Sequence, residues 1–213
     1  MLSSLLPLLS LSLALAAPVV ERRAACADVM VVFARGTTEP PPIGTVAGPP
    51  LQAALKTALG AKSLSFAGVD YPADIPGFLE GGDKQGSQTM ADDVRFALRT
   101  RFTFGWLTRP KLTNAANACP NAAIVTVGYS QGGQLVHNSA KLLSSAVTQR
   151  INAAVIFGDP DNGQAVTGIA AGDTKVICHT GDNICAHGDL ILPPHLTYGQ
   201  DAGSAAAFIA SKV

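Results

Sequence analysis

Short apolar runs alternate with amphipathic segments along most of the chain. Residues 27–34 form a β-branched apolar run, which predicts a buried strand. Residues 36–42 contain three successive prolines and predict a loop. Residues 50–59 place Leu51, Ala54, Leu55, Ala58 and Leu59 at helical spacing, closed by Gly60. A second strand is expected over 63–69. Residues 71–86, punctuated by Pro72, Pro76, Gly77, Gly81, Gly82 and Gly86, read as loop. Met90, Val94 and Leu98 carry a helical pattern over 89–100. The most strand-like run, 122–128, leads into Gly128-Tyr129-Ser130-Gln131-Gly132, with a helix expected over 134–147. Strands over 151–157 and 174–178 and a closing helix over 203–212 complete the pattern. Strands alternating with helices predict an α/β fold with a mostly parallel central sheet and helices on both faces. Its ligand site is expected beyond the carboxyl ends of the strands.

The amino-terminal residues do not share this pattern. From Leu2 to Ala17 there is no charge, and Ala14-Leu15-Ala16-Ala17 supplies small residues for signal cleavage. The run is too short for a membrane span, so residues 1–17 are expected to be a secretory signal. Residues 18–23 end in the dibasic pair Arg22-Arg23 and read as a short propeptide rather than a polar tail. Residues 24–213 then form a single domain, consistent with a 213-residue chain. No second apolar stretch is long enough to cross a membrane, so the expected product is secreted and soluble.

Composition narrows the function. Lys plus Arg and Asp plus Glu number 15 each, and this charge balance argues against nucleic acid as a partner. Charged residues at 14% and hydrophobic ones at 47% are the reverse of a disordered chain. The four cysteines of a secreted chain imply disulfides, with three connectivities open. Cys178 and Cys185 are near enough in sequence to close a small loop, which leaves Cys26 and Cys119 for a long one. A zinc site finds little support, because Cys-x-x-Cys spacing is missing.

Gly128-Tyr129-Ser130-Gln131-Gly132 matches Gly-x-Ser-x-Gly between a strand and a helix. That turn exposes a nucleophilic serine, and its glycines keep side chains out of a tight bend. The competing reading makes Ser130 the N-cap of the helix. A serine hydroxyl needs a base, and the base needs an orienting acid. Of the four histidines, His137 lies about two turns along the helix, while His179 and His187 flank the small cysteine loop. Chain order of nucleophile, acid and base favours His195. Asp159, Asp161, Asp173, Asp182 and Asp189 lie between Ser130 and His195. Asp182 is preferred because the Cys178–Cys185 loop would hold its backbone, whereas Asp159 and Asp161 read as a solvated turn. The oxyanion donors are expected to be the backbone N–H groups of Gln131, after the nucleophile, and Thr37, on the loop after the first strand. Ile75, Phe78 and Leu79 on one loop, with Leu190, Ile191, Leu192 and Leu196 beside His195, suggest an apolar groove.

Cys178-His179-Thr180-Gly181-Asp182-Asn183-Ile184-Cys185 and Pro194-His195-Leu196-Thr197-Tyr198-Gly199 resemble the acid–disulfide–base region of the fungal cutinase family. Ala34-Arg35-Gly36-Thr37-Thr38-Glu39 and the Cys119-Pro120 to Gly132 stretch match two further segments of that family. The resemblance implies a small lidless α/β-hydrolase with bridges Cys26–Cys119 and Cys178–Cys185. It also implies Ser130 as nucleophile, Asp182 as acid and His195 as base. The family often has serine where this chain has Thr37, and either hydroxyl can donate. Residues 102–118, with the only tryptophan, Trp106, lie where the family runs almost directly into Cys-Pro. They read either as a substrate-gathering loop or as a gene-model error, and the second is favoured.

The expected function is hydrolysis of carboxylic esters, of cutin or other polyesters, through an acyl-enzyme. No cofactor or metal is expected, and the protein should be a monomer whose partner is its ester substrate. Removal of acetyl groups from xylan is the nearest alternative on the same framework. A non-catalytic surface binder would need a broken triad, whereas Ser130, Asp182 and His195 are all present.

Overall fold

Among the described residues, five parallel strands form one sheet in the order β2-β1-β3-β4-β5. The computed structural model describes residues 26–98, 119 and 121–213. The expected signal peptide and propeptide, and the segment 102–118, lie outside the described residues. The strands are β1 (Val29–Ala34), β2 (Leu64–Gly68), β3 (Ala123–Tyr129), β4 (Ile151–Phe157) and β5 (Thr174–Ile177). The three central strands, β1, β3 and β4, arise where the sequence has a run rich in β-branched and small apolar residues. β1 is buried at every position, as a central parallel strand covered on both faces must be.

The period-two alternation divides the core. Val29, Val31 and Phe33 face one layer, and Met30, Val32 and Ala34 face the other. On the first side, helices α1 (Gly48–Ala58) and α6 (Ala202–Ala210) supply Leu51, Leu55, Ala205 and Ile209. On the second, α3 (Lys84–Leu98) and α4 (Gln131–Leu142) supply Met90, Val94, Leu135 and Val136. Burying each of the larger side chains contributes about 1.5–3 kcal/mol.

Connections depart from the expected pattern in three places. The stretch 71–86 is not all loop. It contains α2 (Ile75–Leu79) and the first turn of α3. Asp74 caps α2 by accepting from the Gly77 N–H at 2.8 Å, and Pro76 sits in the first turn, where its missing N–H costs nothing. The side chains of Gln131, Gln134 and Asn138, on one face of α4, donate to the carbonyls of Asp74, Phe78 and Gly81. These bonds supply the tertiary support that a five-residue helix lacks alone. The helix expected over 134–147 begins at Gln131 and breaks at Leu143, with a separate α5 (Ser145–Thr148) after it. Asp159 is not in a solvated turn. It is fully buried and pairs with His137, Nε2 to Oδ2 at 3.0 Å.

Disulfides join Cys26 to Cys119 and Cys178 to Cys185. The first spans 93 residues of sequence and the second only seven. The chain-entropy model assigns such loops about 4–5 and about 2–3 kcal/mol of unfolded-state restriction. Replacing Cys26 and Cys119 by serine is therefore expected to lower Tm more, measured by thermal denaturation. Replacing Cys178 and Cys185 is expected to lower kcat more, because that bridge encloses Asp182. A larger Tm loss from the small bridge would contradict this division.

Candidate active site

β1 and β3 are neighbours from which the chain departs in opposite directions, so a crevice opens at their carboxyl ends. Ser130 sits there, on the turn between β3 and α4, with φ 56° and ψ −122°. A non-glycine residue in that region carries strain of about 1–3 kcal/mol. The turn is held from both sides. The Ser130 N–H donates to Phe157 O at 2.9 Å, and its carbonyl accepts from the Gly133 N–H at 2.7 Å. The flanking glycines are steric requirements: a Cβ at Gly128 would lie 2.2 Å from Gly132 O, and one at Gly132 would lie 2.0 Å from Ala34 O. The Ser130 hydroxyl makes no capping hydrogen bond, so the N-cap reading fails.

Three of the four histidines have a carboxylate partner. His137 pairs with Asp159, His179 with Asp201, and His195 with Asp182, while His187 Nδ1 lies 2.9 Å from Pro160 O. Only the His195 ring shares a cavity with Ser130. His195 lies in a 3-10 turn, Pro193–Leu196, and its ring is 1% exposed. Its Nδ1 is 2.8 Å from Asp182 Oδ2, and its Nε2 is buried with no hydrogen-bond partner among the described residues. Asp182 is engaged on both oxygens. Oδ1 accepts from the Ile184 N–H at 3.0 Å, and Oδ2 also accepts from Tyr198 Oη at 2.5 Å. Burial works against its charge, but the bonds from Tyr198, His195 and Ile184 prevail and hold the carboxyl below its usual 3.8. Burial and the bond to Asp182 raise the Tyr198 hydroxyl, so it remains a donor.

Two tyrosines absent from the sequence expectations fasten this arrangement. Tyr129, the residue before Ser130, donates its hydroxyl to His195 O at 2.9 Å and stacks on the imidazole with centroids 5.2 Å apart. Tyr198 lies edge-on to the same ring at 5.9 Å. Both stand inside the quoted motifs, and a hydroxyl within three residues of a catalytic candidate was the available signal.

Thr37 and Gln131 meet beside Ser130. Gln131 Nε2 donates to Thr37 Oγ1 at 3.0 Å and to Asp74 O at 2.7 Å. Gln131 is the first residue of α4, so its backbone N–H has no acceptor within the helix. Thr37 is on a loop shaped by Glu39, whose carboxylate accepts from the N–H groups of Gly36, Thr45 and Val46.

The cavity measures about 600 Å³. Of the residues expected in a groove, Ile75, Phe78, Leu79, Ile191 and Leu196 line it. Leu190 and Leu192 do not; they are exposed on the adjoining surface. Thr38, Glu39, Pro40, Thr45, Val46 and Asp189, which also line the cavity, were not anticipated. Ile75 and Leu79 are 57% and 64% exposed, and Leu196 is 54% exposed, so the mouth is rimmed by apolar surface. No helix of the described residues is long and apolar enough to cross a membrane.

A family model described as Cutinase matches residues 25–99 and 108–213. A cutinase of Botryotinia fuckeliana is 55% identical over 211 residues, covering 98% of this chain and 94% of that protein. A cutinase of Monilinia fructicola is 56% identical over 207 residues, covering 96% and 94%. The solved structure of Trichoderma reesei cutinase in complex with a C11Y4 phosphonate inhibitor superposes with a TM-score of 0.76 at 43% identity, covering 87% of this chain and 76% of that one.

Proposed function

The chain belongs to the cutinase family, and from that premise we propose a secreted serine esterase that cleaves cutin or related polyesters through an acyl-enzyme on Ser130. The fold is an α/β hydrolase and the family activity is carboxylic-ester hydrolysis. The observation that carries the mechanistic reading is the opening of the buried Asp182–His195 pair onto the cavity of the strained Ser130.

His195 Nε2 takes the Ser130 proton as Oγ attacks the ester carbonyl, and Asp182 stabilises the imidazolium that forms. The oxyanion is met by the backbone N–H groups of Gln131 and Thr37. The Thr37 hydroxyl adds a third donor: its oxygen already accepts from Gln131, so its proton is free for the oxyanion. His195 then returns the proton to the leaving alcohol, and water attacks the acyl-enzyme with the same base. The phosphonate bound by the Trichoderma reesei relative supports the reading, because tetrahedral phosphorus imitates this intermediate.

Exposed apolar residues around the mouth suit an insoluble apolar polyester better than a polar acetylated sugar. The uncharged run Leu2–Ala17, the dibasic pair Arg22-Arg23 and the two disulfides support export of a mature chain from residue 24. A monomer suffices, since one chain supplies every group of the site.

An ester series of increasing acyl length tests the substrate reading. Activity is expected to persist on butyrate and longer esters, with each buried methylene contributing up to about 0.8 kcal/mol. Turnover confined to acetyl esters would transfer the assignment to an acetylxylan esterase. Labelling with a p-nitrophenyl organophosphate, followed by peptide mapping, should place the adduct on Ser130.

A further inference from the structure

His179 lies outside the triad, yet both of its ring nitrogens face acceptors. Nδ1 is 2.9 Å from Pro194 O and 3.1 Å from Thr197 Oγ1, and Nε2 is 2.7 Å from Asp201 Oδ2. The Thr197 hydroxyl gives its single proton to Pro194 O at 2.9 Å, so toward His179 it is also an acceptor. A carbonyl and a carboxylate have no proton to offer. With the Thr197 proton on Pro194 O, both ring nitrogens carry hydrogen and the ring is an imidazolium, the state that the Pro194 carbonyl and Asp201 favour. It stacks on Tyr198 with centroids 4.1 Å apart, and Tyr198 Oη accepts from the His179 backbone N–H at 3.0 Å while donating to Asp182. Pro194 is the residue immediately before His195.

We propose that protonated His179 is a positioning residue, fastening the Pro194 carbonyl, and through it the His195 ring, to the loop that carries Asp182. This role rests on the triad reading above. The charged and titratable groups around the ring are Asp201 and Tyr198 from the 3-10 turn Tyr198–Asp201, Asp182 from the disulfide loop, and His195 beyond the Tyr198 ring. Burial opposes the charge of His179, but the Pro194 carbonyl and Asp201, with Asp182 farther off, prevail and raise its pKa above 6.5. A raised pKa contributes stability that is fully present below pH 6.5 and is lost as pH rises through the higher folded value.

Loss of the proton leaves one N–H for two sites. The carboxylate keeps it, because a hydrogen bond to an ionised acceptor is the stronger. Nδ1 then becomes an acceptor and the Thr197 hydroxyl turns toward it. Pro194 O loses both side-chain donors and retains only the 3.4 Å contact from the Thr197 N–H. The turn bearing His195 loosens, and kcat falls on the alkaline side of its profile.

The test is kcat and KM against pH for the wild type, His179→Phe and Asp201→Asn, with an NMR titration of the His179 ring. His179→Phe keeps the ring on Tyr198 without either N–H. Its kcat should be about tenfold lower, with KM unchanged and no alkaline limb. Asp201→Asn keeps an acceptor but removes the charge, so the limb should move to lower pH together with the ring titration. Wild-type kcat with the same limb in His179→Phe, or an unmoved limb in Asp201→Asn, would overturn the proposal. If His179→Phe does not fold, Asp201→Asn and the titration decide alone. Activity retained by Ser130→Ala would defeat the triad reading itself. An inactive Ser130→Ala beside two variants with wild-type profiles would defeat only the role of His179.

Discussion

Replacing Ser130 by alanine is expected to lower kcat on soluble esters by about 10⁴–10⁶-fold while the melting temperature stays near that of the wild type. The size follows from removing the attacking oxygen. What remains is substrate binding and the oxyanion donors of Thr37 and Gln131. The fold should be indifferent, because the hydroxyl makes no capping bond and the turn is held by main-chain bonds to Phe157 and Gly133. Alanine inherits the strain at φ 56°. Glycine does not, since it adopts that conformation without steric penalty. Ser130→Gly should therefore be inactive yet more stable by about 1 kcal/mol, read from chemical denaturation. Near-native turnover by the alanine variant, or an organophosphate adduct on another serine, would remove Ser130 from the nucleophile's role.

Asp182→Asn is expected to lower kcat by about 10⁴-fold with little change in the fold, because the substitution alters a tautomer rather than a shape. The carboxylate accepts three bonds, from Ile184 N–H on one oxygen and from His195 and Tyr198 on the other. An amide has one oxygen. If that oxygen stays with the Ile184 N–H, its NH₂ group confronts His195 Nδ1 and the Tyr198 hydroxyl. The imidazole then accepts at Nδ1 and carries its proton on Nε2, the side that must receive the proton of Ser130. The base is blocked without being displaced. Rate measurements across pH distinguish this from loosening, since no pH restores the lost tautomer. An asparagine variant within tenfold of wild type would show that another carboxylate orients His195.

Much of the architecture was legible because a parallel sheet leaves a plain record. Strands buried on both faces must be continuous apolar runs, and the run over 151–157 coincides with β4 at both ends. Helices with one apolar stripe were visible for the same reason, within a few residues at their ends. α2 was hidden. Its sequence, Ile75-Pro76-Gly77-Phe78-Leu79, contains two residues that ordinarily break helices, and what sustains it is a row of amides on α4 more than 50 residues away. The buried Asp159 was misjudged on similar grounds: Pro160 and Asn162 signal a turn, but its partner His137 is 22 residues earlier.

For the site, residue types, order and local spacing were enough to nominate Ser130, Asp182 and His195, because a strand–Gly-x-Ser-x-Gly–helix turn and an acid between two near cysteines are local features. The sequence by itself also determined the parallel α/β layering, which follows from apolar periodicity. Only the tertiary structure decided which of three histidine–carboxylate pairs shares a cavity with Ser130, since pairing alone does not distinguish them. It also decided that Leu190 and Leu192 stand outside the cavity, that Thr38, Glu39 and Val46 line it, and that Tyr129 and Tyr198 donate to the His195 carbonyl and the Asp182 carboxylate. The physical reason is common to all of these. Burial and hydrophobic alternation act over a few neighbouring residues and are written along the chain, whereas a hydrogen bond or a shared wall depends on where distant segments meet, which the packing of the sheet and its helices alone sets.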